Sequence, residues 1–312
     1  MQNLRTLRQR IRSVQNTQKI TRAMQMVAGA KLRRSQEELM AFRPYADRLE
    51  TMTQRFLAAH PELEHPLLVP VMVRQAHHDR SETVRAEPVE ARTEAPAGLV
   101  VVTSDTGLCG TYNERLLALT GRFLTEFPSA KVVAIGRKGS RWLNRRNLPR
   151  LREVLDWGGR FELERSHLFV DWMKDLFLRG EVSGWAVLYT KFISALQFKP
   201  AEAVLFPIER PAISNPVPGT GTVPGTDLKQ IVEPGVERFT EELLARSVQA
   251  RFSRILLEAF TSEHSARMVA MKNATENASQ MIDTLTLVRN KARQAAITKE
   301  LIEVVSGAQA LR

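Results

Sequence analysis

Met271-Lys-Asn-Ala-Thr-Glu-Asn-Ala-Ser-Gln-Met-Ile-Asp-Thr-Leu-Thr-Leu-Val-Arg-Asn-Lys-Ala-Arg-Gln-Ala295 is the stretch that decides the architecture. Apolar or small residues fall at Met271, Ala274, Ala278, Met281, Leu285, Val288, Ala292 and Ala295, in alternating steps of three and four. That period places them on one stripe of an α-helix, and a stripe this long is a seam for another helix. Around it, from Val236 to Arg312, there is no proline and a single glycine, Gly307. A helix of about 75 residues is roughly 110 Å long at 1.5 Å per residue. Compact domains measure some tens of ångströms, so this helix is expected to project as a shaft.

The other end of the chain has the same character. Leu4, Leu7, Ile11 and Val14 step three and four; the stripe then reads as shifting phase through Thr17 and Ile20 to Met24, Ala28, Leu32, Ser35, Leu39 and Phe42. Such a shift changes coiled-coil winding without ending the helix. Pro44 marks an end or a kink, with a helical stretch continuing to about Ala59. Two seam-bearing helices at opposite ends of one chain most simply pair antiparallel, and the small residues Ala274, Ala278, Ala292 and Ala295 would let them approach closely.

Between the helices the period changes. Gly98 to Thr103, Lys131 to Ile135 and Ser183 to Tyr189 are short apolar runs, and Ala203 to Phe206 is a fourth candidate strand. Helical patterns cover Asn113 to Phe127, the stretch through Trp142 and Leu143, and Leu168 to Leu178. Strands alternating with helices predict a Rossmann-like α/β domain with a mostly parallel sheet. The expected organisation is an N-terminal shaft helix over 1–60, a linker with an insert over 61–96, and the α/β domain over 97–210. A Pro/Gly-rich linker over 211–234 and a C-terminal shaft helix over 235–312 complete it. Residues 73–96 carry a loose self-similarity and few core-forming side chains, so flexibility is expected there.

Composition narrows the function. The 312 residues carry a net charge of +11 and one cysteine, Cys109, so neither an internal disulfide framework nor a cysteine-based zinc site can form. Apolar runs fall short of the length that spans a membrane, and Met1 leads into Arg-rich sequence rather than a secretory signal. Between Met1 and Gln36 stand nine basic residues and no acidic one. That charge suits nucleic acid or an anionic membrane, an organelle transit peptide, or a helix facing an acidic partner, alongside a plainly solvated face.

Catalytic signals are incomplete. Thr103 to Gly110 follows a strand and contains glycines but has neither the Gly-Lys-Ser/Thr ending of a phosphate loop nor G-x-G-x-x-G. Ile135-Gly-Arg-Lys-Gly-Ser140 could cradle a phosphate at a helix start, although such turns are usually plain connections. Cys109 has no histidine placed to activate it, His77-His78 lacks a third ligand, and His264 beside Glu263 is not followed by a zinc-helix pattern. No catalytic, cofactor or metal residue is therefore assigned, and the information lies in helix faces.

Four stretches carry a family resemblance. Ile11-Arg-Ser-Val-Gln-Asn-Thr-Gln-Lys-Ile-Thr-Arg-Ala-Met-Gln-Met-Val-Ala28, continuing to Lys31-Leu-Arg-Arg34, resembles the N-terminal helix of gamma subunits of F-type ATP synthases. Ser104 to Gly110 is similar to that family's loop after the first strand, and Ser262 to Asn277 and Asn290 to Gly307 are similar to its C-terminal helix. Thr111-Tyr112 departs from the family's usual glycine and small or apolar residue, the 73–96 segment looks longer than usual, and the 212–228 linker looks unlike it.

The resemblance implies a non-catalytic rotor. Its antiparallel helices turn inside a ring of three alpha and three beta subunits, and its α/β domain stands beside an epsilon subunit over a membrane ring of c subunits. Ion flow drives rotation, and the asymmetric shaft takes the beta-subunit nucleotide sites through different affinities, at the cytoplasmic face of a bacterial inner membrane. By the same resemblance Arg10, Arg12, Lys19, Arg22, Arg33 and Arg34 face acidic loops of the ring, and Met24 lies where rotor and beta subunit come close. Arg267, Gln294 and Thr298 are polar contacts with beta-subunit loops, and Ile302, Val305 and Leu311 belong to the apolar tip. A coiled-coil protein binding nucleic acid through the basic N-terminal helix is the alternative, and it predicts binding that falls steeply with salt. A phosphate-loop enzyme in the α/β domain would instead bind nucleotide by itself.

Overall fold

Helix α1 (Leu4–Ala59, 56 residues) and helix α5 (Val236–Ala310, 75 residues) frame the chain. This is a computed structural model describing residues 4–68, 97–157, 159–210 and 235–310. The 73–96 insert, the 211–234 linker and Leu311 lie outside the described residues. In chain order the remaining elements are β1 (Gly98–Val102), α2 (Tyr112–Glu126), β2 (Lys131–Ile135), α3 (Arg137–Arg145), β3 (Arg150–Val154), α4 (Leu163–Leu178), β4 (Trp185–Ser194) and β5 (Gln197–Phe206).

The two long helices pair antiparallel, and two side-chain hydrogen bonds mark their register. Ser35 Oγ and Thr261 Oγ1 lie 2.8 Å apart, as do Thr275 Oγ1 and Thr21 Oγ1. Fourteen residues forward along α1 match fourteen back along α5, so both bonds belong to one alignment.

The seam differs from the sequence reading in two places. On α1 a stripe of buried and half-buried positions runs Leu4, Leu7, Ile11, Val14, Gln18, Thr21, Gln25, Ala28, Leu32, Ser35, Leu39, Phe42 and Ala46 without a break in phase, with Met24 half-buried beside it. Gln18, Thr21 and Gln25 occupy seam positions, whereas the more apolar Ile20 is 60% exposed. On α5 the inward face includes Met271, Ala274, Thr275, Ala278, Ile282, Leu285, Arg289, Ala292 and Ala296. Met271, Ala274, Ala278, Leu285 and Ala292 of the expected stripe thus face inward, whereas at the other three positions the inward residue is the next one along, leaving Met281 55% and Val288 43% exposed and Ala295 exposed as well. Hydrophobicity alone favoured Val288 over Arg289 and did not choose between Met281 and Ile282; the geometry of two paired helices turned Ile282 and Arg289 inward.

Pro44 neither ends nor divides α1. A helix-interior proline costs about 3 kcal/mol in lost hydrogen bonding and steric conflict. Here it faces solvent while Leu39 and Ala46 on either side are buried, so packing carries the helix through.

The sheet has five strands in the order β3-β2-β1-β4-β5, with all pairs parallel except β4–β5. Two departures from expectation both concern its edges. Strand β3 has the sequence Arg-Leu-Arg-Glu-Val and is not among the apolar runs, since an edge strand needs only one paired side. Strand β5 begins at Gln197, six residues before the apolar Ala203–Phe206 run, because its first half alternates against β4 instead of lying in the core. On one face, Leu99, Val101, Val132 and Ala134 pack with Leu116 and Phe123 of α2 and Leu143 of α3. On the other, Val100, Val102, Val133 and Ile135 pack with Phe169 and Met173 of α4 and with Phe252, Leu256 and Phe260 of α5.

The shaft is thus rooted in the core. From Ile255 to Ala266 every residue of α5 is buried, where the helix passes between α1, α4 and the sheet. A helix buried on all sides must satisfy its polar groups internally, and this segment includes Glu258, Thr261, Ser262, Glu263, His264 and Ser265.

Candidate functional site: the shaft and its junction with the sheet

The β1–α2 loop, where a phosphate would sit if this were a nucleotide-binding turn, is satisfied by its own neighbours. The Ser104 backbone N–H donates to Asn113 Oδ1 at 3.1 Å, and Asn113 Nδ2 donates to Cys109 Sγ at 3.1 Å. At the start of α3 the Arg137 N–H donates to Asp105 Oδ1 at 3.1 Å, and the Gly139 N–H donates to Thr103 Oγ1 at 2.8 Å. The amides that would cradle an anion are thereby engaged by a carboxylate and a hydroxyl of the chain itself. Gly136, with φ of 94°, is required where the strand turns into α3, since a Cβ there would lie 2.2 Å from the Thr103 carbonyl oxygen.

The same loop is pinned to the shaft. Arg267 on α5 pairs with buried Glu263 at 2.8 Å, and donates to Thr106 Oγ1 at 2.8 Å and to the Gly107 carbonyl at 3.4 Å. Burial pushes the Glu263 carboxyl above its usual range, and Arg267 opposes that shift. Burial likewise raises the Cys109 thiol, which makes it a poor nucleophile. His264 Nε2 meets the Gly159 carbonyl at 3.0 Å, so that nitrogen carries the proton and donates. Burial lowers its pKa to about 4, leaving the ring neutral near pH 7. Among the described residues there is no cluster of His, Cys, Asp and Glu able to hold a metal.

The structure distributes the sequence-derived contact residues over three places. Arg10, Arg12, Lys19, Arg22, Arg33 and Arg34 are all exposed on α1, and Arg34 pairs with Glu38 on its own helix at 3.1 Å. Met24 and Arg267 come together at the base of the shaft, lining one cavity of about 370 Å³ with Lys31, Leu108 and His264. Gln294 and Thr298 are exposed near the far end of α5, where Thr298 Oγ1 donates to the Gln294 carbonyl at 2.9 Å. Ile302 is 60% exposed in the same region, and Val305 lies on the same helix. Extending the alignment of the two hydroxyl pairs places Leu4 opposite Ala292. The rest of α5 to Ala310 has no helix of the described chain beside it, a span of roughly 27 Å at 1.5 Å per residue.

Sequence reasoning missed Glu263 and Thr106 as the partners that hold Arg267. The i, i+4 spacing of Glu263 and Arg267 was the available signal.

A paired-helix shaft rooted in a doubly wound sheet, cationic along α1 and apolar at its free end, defines a stalk-like subunit that works through its surface. A family model described as ATP synthase matches residues 3–311. The ATP synthase gamma chain of Moorella thermoacetica is 40% identical over 313 residues, covering 100% of both chains. That of Paraburkholderia xenovorans is 37% identical, also covering 100% of both. The chain belongs to the family of ATP synthase gamma chains.

Solved structures share the fold. A chain from the central stalk and c-ring of the Tetrahymena thermophila mitochondrial ATP synthase superposes with a TM-score of 0.56 at 20% identity, covering 82% of this chain and 99% of that one. A chain of the Euglena gracilis mitochondrial enzyme gives 0.51 at 20% identity, covering 91% and 95%. Among the described residues no helix is long and apolar enough to cross a membrane.

Proposed function

We propose that this chain is the central-stalk rotor of an F-type ATP synthase. It couples ion flow through a membrane ring of c subunits to ATP synthesis or hydrolysis at beta-subunit sites. The observation that carries this reading is the shaft: two helices in one continuous seam, rooted in the core and overhanging at the free end. Such an element does chemistry only by biasing other subunits among conformations, so torque becomes differential binding free energy. The chain itself contributes no catalytic group.

Its partners in this reading are the alpha and beta subunits around the shaft, an epsilon subunit beside the α/β domain, and the c-ring beneath it. The protein is peripheral, at the cytoplasmic face of a bacterial inner membrane. The division at 1–60, 61–96, 97–210, 211–234 and 235–312 follows the same logic. The exposed cations Arg10, Arg12, Lys19, Arg22, Arg33 and Arg34 centre the shaft by long-range attraction to acidic loops. Met24 and Arg267 meet beta subunits at the shaft base, Gln294 and Thr298 meet them near its end, and Ile302, Val305 and Leu311 turn in an apolar bearing.

Co-purification with alpha and beta subunits tests this. The expected product holds one copy per three alpha–beta pairs and shows ATP hydrolysis that depends on the chain. If no complex forms while the chain binds duplex DNA in a salt-sensitive manner, the basic helix is a nucleic-acid surface instead.

A further inference from the structure

Where α1, α5 and β4 meet, the apolar core is interrupted by a knot of charge. Glu258 on α5 is 1% exposed. Its Oε1 lies 3.3 Å from Arg254 Nε and 3.8 Å from Arg43 Nη2 on α1. Arg254 also reaches Asp47 on α1 at 2.6 Å, and Arg43 Nη2 donates to the Phe192 carbonyl of β4 at 3.5 Å. Four charged side chains thus join both shaft helices to the sheet. Two polar atoms in the knot, Glu258 Oε2 and Arg43 Nε, are buried without a hydrogen-bond partner among the described residues.

Such an arrangement is a poor way to gain stability. Desolvating a carboxylate and a guanidinium often outweighs their attraction, and hydrophobic replacements of similar volume are commonly neutral or stabilising. What a buried polar group supplies well is register. The shaft needs that, because an unbroken heptad seam accepts a slip of seven residues almost as readily as the native alignment. Apolar contacts such as Leu32, Leu39 and Leu257 do not discriminate strongly between the two. The charged knot does: seven residues from Glu258 stand Arg251 and Ser265, and seven from Arg254 stand Ser247 and Thr261. A slip in one direction puts Arg251 against Arg43, and in the other it leaves Arg43 with no carboxylate.

We propose that Arg43, Glu258, Arg254 and Asp47 form a register lock that fixes the sliding and rotational position of the shaft helices on the α/β domain. For the rotor reading, on which its functional consequence rests, these are positioning residues through which torque passes between sheet and shaft.

The test combines a disulfide reporter with coupling measurements in the assembled, membrane-reconstituted complex. Ser35→Cys with Thr261→Cys reports the native alignment. It is compared in the otherwise unaltered chain and in one carrying Arg43→Met, Glu258→Leu and Arg254→Met. The lock predicts near-complete cross-linking in the first and a several-fold lower yield in the second. In complexes without the reporter, it predicts ATP hydrolysis within about twofold but ions pumped per ATP reduced at least about threefold. Glu258→Gln, which keeps shape and loses charge, should show the same pattern more weakly. Equal cross-linking in both backgrounds would overturn the lock. So would pumping and hydrolysis falling together with the melting temperature, or failure of both variants to assemble, since either makes the knot merely structural. If the unaltered chain supports no pumping, the rotor reading fails, and the cross-linking result still decides the lock.

Discussion

His264 illustrates how burial turns an ordinary residue into a sensitive one. Its folded pKa of about 4 lies below the ordinary value of 6.5, so the unfolded chain binds the proton first as acid is added. The stability this ring contributes is complete above about 6.5 and is lost as pH falls toward 4. Glu263, shifted upward, works in the opposite direction, but it is common to wild type and a histidine variant. The melting temperature of wild type should therefore exceed that of His264→Gln by more at about pH 7 than at about pH 4.5; a constant gap would show that the ring does not titrate this way. Gly136 makes a second prediction. Gly136→Ala combines a strained φ with a collision against the Thr103 carbonyl, and should cost about 2–4 kcal/mol in denaturant unfolding. Little of this was legible in advance. A sequence displays Gly136 and His264 but not that Thr103 or Gly159 comes from elsewhere to meet them.

At the scale of elements, the reading went wrong where chemistry and geometry disagreed. The two shaft helices were recognisable because their period persists over many turns, which composition cannot imitate. Their inward faces were recognisable only in part, because Gln18, Thr21, Thr275 and Arg289 hold seam positions that apolar counting rejects. The substitutions Leu285→Ala and Met281→Ala separate the alternatives. The first removes a half-buried seam residue and should cost about 1–2 kcal/mol; the second trims an exposed side chain and should cost under about 0.5 kcal/mol. Similar costs would restore the original stripe. Edge strands were the other blind spot. The core strands β1 and β2 announce themselves as apolar runs, whereas β3 borrows its strand character from pairing with β2 across Val133 to Ile135.

The whole molecule is a body with a lever fixed in it. Residues from Ile255 to Ala266 anchor α5 in the core, while from Ile297 to Val304 every side chain of the helix is exposed. Folding and partner binding should therefore separate. A chain ending after Ala296 is expected to lose under about 1 kcal/mol of folding stability yet to bind the alpha–beta ring less tightly, as melting and sedimentation would show. A large drop in stability would mean that the tip is held within the chain. The architecture could be read from the sequence because its extremes are periodic and its middle alternates. The anchoring could not, since it depends on long-range contacts such as Ser35 with Thr261.

The central claim is that this body turns. The direct measurement fixes the alpha–beta ring to a surface and follows a bead attached through Arg141→Cys, an exposed site on α3. On adding ATP the bead should rotate in one direction in steps, at a rate set by hydrolysis. Sustained ATP hydrolysis by the same immobilised complexes with a stationary bead would contradict the account.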